Sequence, residues 1–118
     1  MRQHPPDLDA ETVRHLEELE ELGGEELLRQ LVKLLLDLVP QRLSAIEEAL
    51  RRDDLLAARQ AAHALCSTAG TVGATTLLKA AQLVEAAHGA PEALAAAEIL
   101  ETEWPPLQQR LSQWLNEP

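Results

Sequence analysis

His63 is the residue best placed to do chemistry in this chain, because its neighbours leave room around it. Leu65 lies two positions on, about 200° around a helix that turns about 100° per residue. A helix that buries Leu65 therefore turns the His63 imidazole outward. One turn away lie Arg59 and Gln60 on one side, and Cys66, Ser67 and Gly70 on the other. Neutral imidazole is a good nucleophile near neutral pH, and a ring beside small side chains can be approached closely by another protein. Phosphoryl transfer asks little more of a carrier, because the reaction is mostly positioning and charge stabilisation around an in-line phosphoryl group.

The same residues permit other readings. A histidine on a helix surface can be a solvated polar residue and nothing else. His63 and Cys66 can form half of a metal site, but His4, His15 and His88 lie in other segments, so no metal is assigned. A Cys66–His63 nucleophilic pair has no evident orienting carboxylate or oxyanion hole. Gly70 and Gly73 lack the strand-to-helix context of a phosphate-binding loop and suit a turn between helices.

Helices must hold that histidine. The chain has 118 residues, enough for one compact domain, and 46% are hydrophobic with no Phe or Tyr. Leu and Ala dominate, which favours helix over strand. A short helix fits from Asp9 to Leu22 and is ended by Gly23-Gly24. A second fits from about Glu25 to Arg52, with Pro40 expected to kink or divide it. It carries a wide leucine stripe (Leu27, Leu28, Leu31, Leu34, Leu35, Leu38) and a second stripe of Val32, Leu36 and Val39 beside it. That second stripe can be core or a partner-docking patch next to His63.

Asp53 or Asp54 can cap a third helix from about Leu55 to Ala69, whose inward row is Leu55, Ala58, Ala62, Leu65 and Ala69. A fourth fits Thr75 to Ala87, and a last one starts near Pro91 and meets a break or bend at Pro105-Pro106. The fold expected is all-α: an antiparallel, up-down four-helix bundle over residues 9–118, with a short additional N-terminal helix and a frayed start at residues 1–8.

The formal charge of −10, from 20 acidic and 10 basic residues, repels phosphate backbones and anionic lipid heads, so no nucleic-acid partner and no membrane role are expected. No apolar run approaches the roughly 20 residues of a membrane span, and a lone Cys66 fits a reducing, cytoplasmic setting.

The run from His63 to Leu77 resembles the signature of histidine phosphotransfer (HPt) domains, with His63, Leu65, Ala69, Val72, Gly73 and Leu77 in matching positions. Leu22 to Leu28 resembles the family's opening turn, and Pro40 and the segment Ala49 to Asp54 fall where such domains place a mid-helix proline and a short acidic turn. The resemblance spans roughly Asp7 to Leu115. It implies a non-enzymatic phosphocarrier of two-component phosphorelays. His63 would take a phosphoryl group from one receiver domain and pass it to another, the partners being response regulators or a hybrid sensor histidine kinase. It also implies a monomer that holds no cofactor, with Mg²⁺ on the partner receiver. Cys66 stands where the family usually has lysine, and Ser67 where it usually has glycine. The lysine is thought to help hold the phosphoryl group, so Arg59 or Lys79 would have to take its place. Gln60, Cys66, Ser67 and Gly70 are further candidate neighbours of the phosphoryl group. Loss of that lysine also motivates an alternative: a degenerate module that binds a receiver without carrying phosphate.

Overall fold

The computed structural model describes residues 10–71 and 74–116, with side chains from Arg14 onward. The expected frayed start at residues 1–8, and the motif positions Val72 and Gly73, lie outside the described residues. Four helices follow in order: α1 (Ala10–Arg51), α2 (Leu55–Thr71), α3 (Thr75–Glu85) and α4 (Ala90–Asn116). Each packs on the next, α4 closes back on α1, and the α2–α4 diagonal contact is slight. Short connections between long helices force neighbours to run antiparallel, which gives the up-down bundle. There is no strand among the described residues, and no helix of them is long and apolar enough to cross a membrane.

The breaks follow from local chemistry. Gly24, at φ +74°, is the one non-helical residue inside α1, and it sets residues 10–23 off as an N-terminal arm. This is the break expected at Gly23-Gly24, and only glycine takes such a φ without strain. The arm is nonetheless tied down: Leu16 is buried, and the His15 Nε2–H donates to the Thr71 carbonyl over 2.9 Å. At the other end of α1, Asp54 N–H bonds to Ala49 O and Asp53 N–H to Leu50 O, with Asp53 left-handed at φ +57°. That pattern is a Schellman closure. Asp54 then caps α2, its Oδ1 accepting the Ala57 N–H at 3.0 Å. One pair of aspartates thus ends one helix and starts the next.

None of the three prolines expected to interrupt a helix ends one. Pro40 lies within α1 and does not divide it, and α4 runs on through Pro105-Pro106. A proline deprives one carbonyl a turn earlier of its donor. Pro105 and Pro106 are exposed, so water can satisfy those carbonyls, while buried Trp104 and Leu111 on either side hold α4 against the core. The C-terminal end of α4 is tied to α1 by Arg29, whose Nη1–H donates to Leu115 O at 3.0 Å.

The core corrects the reading of α1. Leu28, Val32, Leu35, Val39, Ile46 and Ala49 are its buried row, whereas Leu34 is 50% exposed and Leu31 and Leu38 are half-buried. The reason is phase. Val32, Val39 and Ile46 are spaced by seven, two turns of helix, so burying Ile46 carries both valines inward. Val32 and Val39 therefore cannot form a docking patch, and Leu36 is half-buried against the core. Val32→Ala is expected to destabilise by about 2 kcal/mol, and Leu34→Ala by well under about 1 kcal/mol. Urea unfolding midpoints measure both, and equal losses would contradict this phase.

On the α1–α4 seam, Glu47 faces Glu98 and Glu101 beside Leu50, Leu94 and Ala97. The Glu101 carboxyl is held above its ordinary value, first by a hydrogen bond to Glu47, then by lost hydration and by repulsion from Glu47 and Glu98. A carboxyl whose pKa is higher folded than unfolded binds its proton more tightly in the native state. Stability therefore falls as pH rises from the ordinary carboxylate value through the raised one. Glu101→Gln is expected to flatten that fall, seen as urea midpoints that change less between mildly acidic and neutral pH. The effect is small because Glu101 is exposed and its partner Glu47 is only half-buried.

Candidate functional site

The site is built on the seam between α2 and α3. Ala58, Ala62, Leu65 and Ala69 are the buried row of α2, and Leu77, Ala80, Ala81 and Val84 that of α3. Alanine-rich faces permit two helices to approach closely. The buried Leu65 turns His63 outward, as its helical phase requires, and the His63 side chain is 73% exposed.

Glu85, the last residue of α3, reaches across the seam and its Oε2 bonds His63 Nδ1. A carboxylate accepts, so Nδ1 carries the proton. That arrangement restrains the ring and commits Nδ1, so that Nε2 is the ring nitrogen without a partner in the bundle. Sequence reasoning missed Glu85. It lies 22 residues from His63, and only the antiparallel return of α3 makes them neighbours. An acid ending the helix after the histidine was the available signal, but nothing in the spacing distinguishes it from any other exposed glutamate.

Glu85 makes a second link. Its backbone carbonyl, one of the unpaired carbonyls ending α3, accepts from Arg59 Nε at 2.8 Å. Arg59, Gln60, His63, Glu85 and Leu56 together line a shallow depression on the side of His63 toward the start of α2. Of the other candidates, Cys66 is half-buried and packs against the core. Burial first, and then the negative charge of Glu85, push its thiol pKa up, which keeps it protonated and a poor nucleophile. Ser67 is exposed and lines a different feature, an apolar groove with Leu31, Leu34, Leu35, Leu38, Thr68 and Thr71. Gly70 is half-buried, and a Cβ there would meet open space.

Lys79 does not line the depression. It sits six residues before Glu85, about 9 Å along α3 and about 240° around it. Among the described residues, no group of three or more His, Cys, Asp or Glu side chains is placed to hold a metal ion, and His63 and Cys66 acquire no third ligand.

Removing the carboxylate should release the ring. In Glu85→Ala, ¹⁵N spectra of His63 are expected to change from one dominant tautomer, protonated on Nδ1, to a mixture with protonation on Nε2. An unchanged spectrum would show that Glu85 does not set the tautomer.

No curated protein and no solved structure gives a match to this chain. The Hpt domain family model does, over residues 30–117, about three quarters of the chain, and the match takes in His63, Glu85 and the helices that position them. With a helical bundle, an outward histidine and this match in agreement, the chain belongs to the Hpt domain family, the phosphotransfer modules of two-component signalling.

Proposed function

We propose that this domain is an active phosphocarrier that relays a phosphoryl group between receiver aspartates through Nε2 of His63. The observation that carries the proposal is the pairing of His63 Nδ1 with Glu85 on a largely exposed side chain, which leaves Nε2 as the ring nitrogen not engaged by the bundle. In the loading step, the Nε2 lone pair attacks phosphorus in line with the bond to the receiver's aspartyl oxygen. The N–P bond forms as the P–O bond breaks, and the electron pair leaves with the receiver's carboxylate. The ring then bears positive charge and keeps its Nδ1 proton, which the Glu85 carboxylate faces. In the unloading step a second receiver's carboxylate attacks phosphorus and the ring leaves as neutral imidazole. A divalent cation such as Mg²⁺ belongs to the receiver in this scheme, which needs no metal on the bundle.

The partner must rest on something while its aspartate reaches Nε2. The groove of Leu31, Leu34 and Leu38 with Ser67 and Thr71 offers that rest on the α1 side of His63, since Ser67 stands one turn beyond it. Transient interfaces of modest area combine an apolar centre with a polar rim. This groove replaces the buried Val32 and Val39 as the docking surface.

The rival reading, a binding module that no longer transfers, draws on Cys66 in the place where the family usually has lysine. One experiment decides between them. A receiver domain carrying labelled phosphate is mixed with wild type and with His63→Gln, while complex formation is followed separately. Label is expected on wild type, and the substitution should reduce it by at least about 100-fold, because the acceptor atom is gone. Binding by both proteins without label on either would establish the module that only binds.

A further inference from the structure

A phosphoryl group on His63 faces an electrostatic problem. It brings about two negative charges to a chain of net charge −10 and sets them near the Glu85 carboxylate, which the imidazole itself requires. A cation is needed close by, and Cys66 supplies none. We infer that the depression on the side of His63 toward the start of α2 is the phosphoryl subsite, with the Arg59 guanidinium as its counter-charge and the Gln60 amide as a second donor. The inference rests on the phosphocarrier reading and deepens it.

Three observations converge on that subsite. Arg59 is the cationic residue that lines the depression with His63, one turn before it on the same face of α2. Its side chain is exposed yet anchored, because Nε donates to the Glu85 carbonyl. That single anchor leaves the two Nη amino groups to donate, and a guanidinium fork suits phosphate oxygens. The same glutamate therefore places both parts of the site, its side chain fixing the nucleophile and its backbone fixing the cation. Lys79, the other cation considered, does not line the depression. The consequence is directional. The phosphoryl group is held from the Arg59 side of His63, opposite to Cys66 and Ser67, and Leu56, 66% exposed, forms the rim a partner meets there.

The test loads His63 chemically with phosphoramidate, so it does not depend on a receiver. The ³¹P resonance that is absent from His63→Gln is assigned to phospho-His63, and its pH titration is followed. A neighbouring cation favours the doubly ionised phosphoryl group, so Arg59→Gln is expected to raise the titration midpoint by about half a pH unit. Arg59→Lys, which keeps the charge, should stay close to wild type. Added salt should shrink the difference between wild type and Arg59→Gln, a response that loss of a helix-capping bond would not produce.

A second measurement needs no substitution. In wild type, the Arg59 guanidinium ¹⁵N resonances should shift on phosphorylation, and they should not shift in His63→Gln treated the same way. Equal midpoints, or Arg59 resonances indifferent to phosphorylation, would overturn the subsite. Failure of a phosphorylated receiver to load wild type would instead overturn the carrier reading, whatever the titration shows.

Discussion

The close packing of α2 on α3 is the constraint on which the site depends. The buried row of α2 contains three alanines and one leucine, and the facing row of α3 adds two more alanines. Larger side chains would push the axes apart, and Glu85 would then fall short of His63. Small residues on a helix face contribute little apolar area each, so the bundle draws its large buried side chains from elsewhere. Leu28, Ile46, Leu100, Leu111 and Trp114 supply much of that bulk from α1 and α4. The labour is divided between the helix pairs: α1 and α4 supply most of the large core side chains, and α2 and α3 meet so that Glu85 reaches the His63 ring.

Glu85 joins helix ending to chemistry. The last carbonyls of any helix lack intrahelical donors, and Arg59 satisfies the one at Glu85 from the neighbouring helix. The same residue's carboxylate orders the imidazole. A histidine that is 73% exposed would otherwise sample ring flips and both tautomers. The bond to Glu85 restrains it through Nδ1 without burying the side chain.

The N-terminal arm extends the bundle beyond the family match, which begins at residue 30. It does not hang free. Leu16 enters the core, and His15 bonds the carbonyl of Thr71, the last residue of α2, just as Arg59 bonds that of Glu85 at the end of α3. Side-chain donors from neighbouring segments thus close the C-terminal ends of α2, α3 and, through Arg29, α4.

Much was legible in the sequence because it is local. Helix content follows from Leu and Ala, the break at Gly23-Gly24 from glycine's tolerance of positive φ, the Asp54 cap from its short acceptor side chain, and the outward turn of His63 from its phase against Leu65. The choice between two apolar stripes on α1 was not local. Both have helical periodicity, and the buried one is selected by its register with Ile46 and by the helices that cover it. The prolines in α1 and α4 read as kinks or breaks, and packing on either side carries the helices through them. Above all, sequence alone determined that a nucleophilic imidazole faces solvent. Tertiary structure decided which of its nitrogens is tied to a carboxylate and which cation lines the depression beside it, because both depend on a residue 22 positions away that only the antiparallel return of α3 brings into reach.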